Sequence, residues 1–187
     1  IRRAYLDTIG VLPRPEEVQA FLADPSPDRR AKVVDRLLNR PEFYDFWTLK
    51  FADILRANGR LIQNKGTYVF TRWIKAQLEQ NTPMDRFVRE LLTADGSTFK
   101  NPPANYYRIS RDPENSVETT AQLFLGVRIQ CAKCHNHPFE RWTQDDYYSM
   151  AAFFARVKQK KDPDEPGATP KVAGAEIIFD TVFVMTN

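Results

Sequence analysis

The chain has 187 residues, of which 42% are hydrophobic, 27% charged and 12% aromatic. This composition is that of a globular protein and excludes a chain that is disordered over its whole length. Its formal net charge of +3 is small and its basic residues are interspersed with acids, so we expect no nucleic-acid partner. No apolar run is long enough to cross a bilayer, and we expect no membrane span in this segment. Because Ile1 begins directly in a helical pattern with no signal peptide, we expect an excised piece of a longer protein.

Apolar residues recur at helical spacing through most of the first 92 residues, and turn signals divide them into separate helices. Gly10 predicts the end of a first helix, and Pro15 suits the first position of a second. Ser26 is predicted to cap a third helix. A fourth, aromatic-rich helix is followed by a polar stretch, residues 58–66, which we predict to be a loop. Thr82, with an aspartate three residues later, predicts a capping box for another helix.

The pattern changes in residues 98–111, where two prolines and two tyrosines fit neither helical nor strand spacing. We predict an ordered but irregular connector there. Asp112 is predicted to start the next helix, which Gly126 ends. Thr143 and Asp146 form a second capping box, which accounts for the carboxylates at this point more simply than acid–base chemistry does.

The C-terminal residues differ in composition from the helical part. Residues 158–171 are charged and proline-rich, which predicts a linker, and residues 176–180 and 181–185 are β-branched runs, which predict strands. The fold class expected is therefore mainly α, an irregular multi-helix bundle with a short C-terminal β segment. We expect a helical domain over residues 1–157 and a linker with a strand segment over residues 158–187.

The stretch Cys131-Ala132-Lys133-Cys134-His135-Asn136-His137 holds every cysteine and every histidine of the chain. Its C-x-x-C-H spacing is the attachment pattern of a c-type haem. Two thiols three positions apart can each reach one vinyl group of a porphyrin, and the adjoining His135 is then held beneath the iron as an axial ligand. The motif therefore predicts covalent haem c bound by Cys131, Cys134 and His135.

Three other interpretations of the motif stay open. The cysteine pair alone can be a disulfide or a dithiol. Cys131, Cys134, His135 and His137 together supply four nitrogen and sulfur ligands, the number that zinc prefers, and would make a zinc or iron site in an interaction domain or a metalloenzyme fragment. Four ligands within seven residues are unusually crowded for such a site. A thioredoxin-like redox centre is disfavoured because no βαβ pattern surrounds the motif.

Residues near the motif in the sequence have candidate roles. The thioether of Met150 is a candidate second axial ligand, although methionines at helical spacing usually fill the core. Phe139 and Trp142 are candidates for covering the haem edge. Basic side chains close enough in sequence to neutralise propionates are those of Arg128, Lys133 and Arg141.

Two separated motifs resemble a known family. The first motif is Arg2-Arg3-Ala4-Tyr5-Leu6-Asp7-Thr8-Ile9-Gly10 with Pro15-Glu16-Glu17-Val18. The second is Cys131 to Phe139 followed by Trp142-Thr143-Gln144-Asp145-Asp146-Tyr147-Tyr148. Both are similar to the planctomycete cytochrome-like domain of unknown function DUF1549, or PSCyt2. The resemblance spans residues 1 to about 157. One departure is Arg14, which stands where the family commonly has threonine, so the second helix lacks a good cap.

The resemblance implies a domain of large exported proteins, often beside a cytochrome c domain and a second uncharacterised domain, DUF1553. Together with the motif, it leads us to expect a c-type cytochrome-like electron-transfer module. The expected partner is a redox protein or a neighbouring cytochrome domain of the same chain. Because covalent haem attachment normally takes place outside the cytoplasmic membrane, the expected location is periplasmic or otherwise exported.

Overall fold

The computed structural model describes the backbone of residues 1–161 and 181–185 and the side chains of residues 1–158. Within those ranges the fold is mainly α, as predicted. The α-helices are α1 (Arg2–Ile9), α2 (Pro15–Ala23), α3 (Arg29–Leu38), α4 (Pro41–Ile54), α5 (Gly59–Glu79), α6 (Met84–Leu92), α7 (Asn105–Ile109), α8 (Pro113–Thr120) and α9 (Gln144–Ala152). Shorter helical turns are the 3-10 helices Pro102–Ala104 and Ile129–Lys133 and the π-helix Ala121–Leu125.

The chain forms two compact units, residues 1–53 with 71–82 and residues 54–70 with 83 onward. The division predicted from composition, between residues 157 and 158, stays a prediction. None of the helices in the described ranges combines the length and the hydropathy needed to cross a bilayer.

The core of the first unit lies between α1 and α3. Tyr5 and Ile9 from α1 pack with Val33 and Leu37 from α3, and all four are at most 6% exposed. Gly10 ends α1 in the left-handed conformation, with φ 72°, as its position predicted. A Cβ atom at Gly10 would lie 2.3 Å from Cδ2 of Phe46, so both the backbone angle and the close approach of α4 require glycine.

The helices of this unit begin only in part at the residues predicted from the sequence. Pro15 opens α2 as predicted, and Arg14 supplies no side-chain cap; Glu17 accepts the Arg14 N–H at 2.7 Å instead. The prediction that Ser26 caps the third helix is wrong, because α3 begins at Arg29. The Ser26 N–H donates to Oδ1 of Asp24 at 2.8 Å, so a local turn holds the residues that were expected to begin the helix.

The polar stretch predicted as a loop is helical. Asn58 caps α5, its Oδ1 accepting the Arg60 and Leu61 N–H groups at 3.1 and 3.2 Å, and Ile62 is fully buried. The helix is interrupted at Gln63, which has φ 60° and ψ 168°, and then resumes. One buried isoleucine among polar residues was too weak a signal to indicate a helix from spacing alone.

The predicted capping box at Thr82 is also wrong. The Thr82 N–H donates to the Gln77 carbonyl at 3.0 Å, so Thr82 belongs to the turn that ends α5. Pro83 then occupies the cap position of α6 without a side-chain cap. Thr82 is therefore held by the helix before it.

Residues 98–111 are more regular than predicted, because they contain the 3-10 helix Pro102–Ala104 followed by α7. Every residue of α7 is buried. Tyr106 shares a 2.8 Å hydrogen bond with Thr120, and Tyr107 donates to the Leu92 carbonyl at 2.6 Å. This short helix is thus part of the core of the second unit.

The last elements combine a capped helix with a small sheet. Asp112 caps α8 by accepting the Asn115 N–H at 2.7 Å, and Gly126, with φ 69°, ends the π-helix, both as predicted. Strands β1 (Gly96–Ser97), β2 (Val157–Lys161) and β3 (Thr181–Met185) form an antiparallel sheet in the order β1-β3-β2. The strand over residues 181–185 is therefore confirmed, and residues 158–161 belong to a strand and not to a linker. The rest of the predicted linker and the strand at 176–180 lie outside the described residues.

Candidate functional site

The C-x-x-C-H motif begins in the 3-10 helix Ile129–Lys133, and its second cysteine, Cys134, caps the end of that helix. The three-residue period of the helix determines which side chains face the solvent. Ile129 and Ala132 are three residues apart and are 1% and 0% exposed. Cys131 and Cys134, also three residues apart, are both exposed, and neither is in a disulfide. The turn therefore buries one pair of side chains and presents two thiols to the solvent.

The exposed imidazole of His135 contacts the backbone next to it. Its Nδ1 lies 2.7 Å from the carbonyl oxygen of Asn136. Because a carbonyl oxygen only accepts, Nδ1 is the donor in this hydrogen bond, and Nε2 is the ring nitrogen left to bind a metal. A histidine that donates its Nδ1–H to a backbone carbonyl and keeps Nε2 for a metal is the usual arrangement at metal centres.

The imidazole of His137 has the opposite arrangement. Its Nδ1 accepts the backbone N–H groups of Phe139 and Glu140 at 3.2 and 3.1 Å, so its proton is on Nε2. The His137 backbone N–H also donates to the Trp142 carbonyl at 2.8 Å. His137 thus closes the turn that follows the motif, and its Nδ1 lone pair is already used.

The start of α9 holds the motif from one side. The Lys133 carbonyl accepts Nε2–H of Gln144 at 3.0 Å and the hydroxyl of Tyr148 at 3.2 Å. The side-chain oxygen of Asn136 accepts the Gln144 backbone N–H at 3.2 Å. Sequence reasoning did not identify these three residues as supports of the motif, since a glutamine and a tyrosine on an exposed helix face carry no specific signal.

The capping box predicted at the start of α9 is confirmed. Thr143 Oγ1 accepts the Asp146 N–H at 3.1 Å, and the Asp146 carboxylate accepts the Thr143 N–H at 2.9 Å. This backbone hydrogen bond lowers the pKa of Asp146. Asp146 therefore positions the helix that supports the motif.

The other candidate residues differ in how far they are exposed. Phe139 is 91% exposed, and Trp142 is half-buried with its indole N–H donating to Glu140 at 3.1 Å. Met150 is half-buried on α9, and its role as a second axial ligand stays a prediction. The three basic side chains proposed to neutralise propionates, Arg128, Lys133 and Arg141, are exposed, and the Arg141 guanidinium lies 5.4 Å from the centre of the Trp142 ring.

The side chains of the alternative metal site, those of Cys131, Cys134, His135 and His137, lie within seven residues of the chain. They are not grouped closely enough to hold a metal ion. Among the described residues, no group of three or more histidine, cysteine, aspartate or glutamate side chains could hold a metal ion. With Nδ1 of His137 accepting two backbone N–H groups, only its Nε2 would remain for such a site, after losing its proton. A four-ligand metal centre would require this segment to rearrange.

A groove of about 220 Å³ lies beside Gln130, the residue before Cys131. Its lining includes Arg56, Glu118 and Gln122, and Arg56 donates to the hydroxyls of Ser110 and Thr119 at 3.3 and 3.2 Å. Its volume is below the roughly 300 Å³ at which ligand pockets begin, and its lining is largely polar. The groove is therefore not the apolar slot that a haem requires.

The features that fit covalent haem are those of the motif itself: two exposed thiols, both unpaired, and an imidazole with Nε2 available. A family model described as "Protein of unknown function (DUF1549)", PSCyt2, matches residues 1–159. Neither the curated proteins nor the solved structures searched give a match.

Proposed function

Since the chain belongs to the PSCyt2 (DUF1549) family, we propose that it is a c-type cytochrome-like electron-transfer module of a larger exported protein. In this proposal Cys131 and Cys134 would hold haem c covalently, and Nε2 of His135 would bind its iron. The haem would supply the one-electron chemistry of its iron. The residues of this chain would attach it, orient it and cover part of its edge.

The observation that carries the proposal is the difference between the two histidines of the motif. His135 keeps its Nε2 for a metal because its Nδ1–H is donated to the Asn136 carbonyl at 2.7 Å. His137 instead uses its Nδ1 lone pair to close the following turn. The chain thus contains one histidine prepared to bind a metal directly after two free thiols, which is the order that c-type attachment requires.

The exposed thiols account for the attachment chemistry. Each thiol would add across one vinyl double bond, its sulfur bonding to one vinyl carbon and its hydrogen going to the other. The addition consumes no oxidant and releases no leaving group. Because Ile129 and Ala132 are buried, the turn is anchored in the core while Cys131 and Cys134 stay exposed to the solvent.

The location and the partner follow from the proposed cofactor. Covalent haem attachment would place the module in the periplasm or otherwise outside the cytoplasm. Its partner would be a redox protein or a cytochrome domain of the same chain. Phe139, 91% exposed beside the motif, would cover one haem edge, and the thioether of Met150 would be a second protein ligand of the iron.

The proposal is tested by producing the chain in exported form together with a c-type maturation system and recording its absorption spectrum after reduction. We expect sharp c-type bands, and we expect them to be lost when Cys131 and Cys134 are both replaced by serine. A matched variant, Ser149→Ala, changes an exposed residue of α9 outside the motif and should keep the bands.

A colourless exported protein would contradict haem attachment. Metal analysis of the same sample would then separate two remaining interpretations, since one equivalent of zinc or iron would indicate a direct metal site. Metal-free protein with two titratable thiols, or with a disulfide, would indicate a plain cysteine pair.

A further inference from the structure

Arg108 is a buried cation that has no acidic partner among the residues whose side chains the structure describes. Its residue is 5% exposed, and the one hydrogen bond that its guanidinium makes to a described residue runs from Nη1 to Oδ1 of Asn105 at 3.3 Å. No carboxylate of the described residues forms an ion pair with it, and the charge that acts on it most is the positive charge of Arg111. Burial and Arg111 both lower the pKa of Arg108.

Such a guanidinium is costly to bury. An arginine stays protonated in proteins, so it cannot escape the cost of desolvation by losing its charge. Buried charges are for this reason paired or bound to a counterion. Arg108 has five N–H donors in a planar fork that matches the oxygens of a carboxylate or a phosphate, and one of its nitrogens has a protein acceptor.

The helix facing Arg108 adds positive potential. A Cβ atom on Gly66 would lie 2.9 Å from Nη1 of Arg108 and 3.2 Å from Oδ1 of Asn105, so the guanidinium lies directly against the backbone of α5. This contact is within the first turn after the break at Gln63, where α5 resumes and runs to Glu79. The start of a helix is the positive end of its dipole, which attracts anions and repels a second cation.

A second unsatisfied group lies in the same cluster. The hydroxyl of Thr98 is fully buried and finds no hydrogen-bond partner among the described residues. Asn105 connects it to the arginine, because Asn105 Nδ2 donates to the Thr98 carbonyl at 2.9 Å while its Oδ1 accepts from Arg108. Asn105 is itself fully buried. The cluster thus holds two groups able to donate further hydrogen bonds and a helix start, and no acid in the described part of the chain balances them.

We propose that Arg108, Asn105, Thr98 and the first turn of the resumed α5 form a buried binding site for a small oxyanion, a carboxylate or a phosphate. The guanidinium would bind two oxygens of the anion, and Asn105 would fix the orientation of the guanidinium. The Thr98 hydroxyl would donate to a further oxygen of the anion. Gly66 makes the site possible because any side chain there would push the guanidinium from the helix backbone. This inference does not depend on the haem proposal.

The test measures thermal unfolding of the intact chain in chloride buffer and in increasing inorganic phosphate at constant ionic strength, with acetate in a parallel series. We expect a saturable rise in Tm, about 5 °C or more at a hundred-fold excess of anion over its Kd. The relative response to phosphate and acetate identifies the class of anion. Because the site is buried, samples are equilibrated with the anion before heating.

Two variants assign the effect to the site. Arg108→Met removes the charge, and we expect its Tm in chloride to equal or exceed that of the parent chain while its response to phosphate and acetate is lost. Arg30→Met, at an exposed residue of α3, removes the same charge from the surface and should keep the full response. Gly66→Ala adds a methyl group at 2.9 Å from Nη1 and should weaken anion binding at least ten-fold, which covers the case in which Arg108→Met does not fold.

The proposal is overturned if the parent chain shows no saturable response to either anion. It is also overturned if Arg108→Met, or Gly66→Ala when the former does not fold, responds as strongly as the parent chain. A role of Arg108 in packing alone predicts that Arg108→Met lowers Tm equally in all three salts.

Discussion

Nδ1 of His135 lies 2.7 Å from the carbonyl oxygen of Asn136, and this hydrogen bond fixes the proton on the nitrogen that faces the backbone. Two residues later, Nδ1 of His137 accepts two backbone N–H groups and must be unprotonated. The two histidines of the motif therefore use Nδ1 in opposite ways, the first as a hydrogen-bond donor and the second as an acceptor. The first can bind a metal through Nε2, and the second stabilises the turn.

The role of His137 in the turn predicts a contrast between two amide substitutions. The side-chain oxygen of His137→Asn can take the place of Nδ1, whereas in His137→Gln it is one bond further along the side chain. We expect His137→Asn to retain the stability of the parent chain and His137→Gln to lose about 1 kcal/mol, the net value of hydrogen bonds at a partly exposed position. Denaturant unfolding of both variants measures the difference, and equal losses would contradict the assignment.

The exposure of Cys131 and Cys134 predicts their reactivity in the protein without a cofactor. Both thiols of the reduced, folded chain should react with a disulfide reagent without denaturant. Two equivalents of the thiol that the reagent releases should be measured for each chain. The control is the same titration in denaturant, which should release no more. Thiols that react only after unfolding would show that the motif faces the interior.

Gly10 and Gly126 form a pair that separates steric clash from backbone strain. Both have positive φ, 72° and 69°, but a Cβ at Gly10 would lie 2.3 Å from Phe46, while nothing lies within 4 Å of a Cβ at Gly126. We expect Gly126→Ala to lose about 1 kcal/mol through strain alone. Gly10→Ala should lose about 2–4 kcal/mol because the clash is added. Similar losses in chemical unfolding would contradict the packing of α4 on the end of α1.

The ion pairs of Arg40 predict how the stability of the chain depends on acid. Arg40 contacts Glu17 at 3.0 Å and also pairs with Glu42, and its hydrogen bond lowers the pKa of Glu42 from 4.5 to about 2. The pKa of Glu17 is lowered too, chiefly by the Arg14 N–H. Because both pKa values are lowered in the folded chain, their contribution is present above the unfolded pKa and is lost as the pH falls from about 4.5 towards 2.

We therefore expect Glu42→Gln to flatten the dependence of Tm on pH in this range. Glu16→Gln, at an exposed neighbour of Glu17, should leave the dependence unchanged. If the Tm of Glu42→Gln equals that of the parent chain at every pH, the ion pair between Arg40 and Glu42 does not contribute to stability.

The parts of the fold that were predictable are those determined by local chemistry. Gly10 and Gly126 end helices because few other residues adopt positive φ, and Asp112 and Thr143 cap helices through their own side chains. The predictions at Ser26 and Thr82 failed because each of these residues is bonded to a preceding segment, Ser26 to Asp24 and Thr82 to Gln77. Such competition between neighbouring turns is not visible in the residue types.

In the candidate site, too, the residues of the motif were predictable and their tertiary contacts were not. Spacing identified Cys131, Cys134 and His135, but the supports of the motif come from α9, and the tautomers depend on backbone groups that only the folded chain brings into place. Burial of Arg108 was equally hidden, because charged residues are normally at the surface. What could not be read from the sequence is the set of tertiary contacts that gives these ordinary side chains a role.

Covalent haem attachment is detected by the intact mass of the denatured chain after export with a c-type maturation system. Two thioether bonds survive denaturation, so we predict a mass higher by one haem for the parent chain and an unmodified mass for the variant with Cys131 and Cys134 both replaced by serine. A parent chain of unmodified mass, produced alongside a known c-type cytochrome that carries its haem, would show that Cys131 and Cys134 do not attach haem.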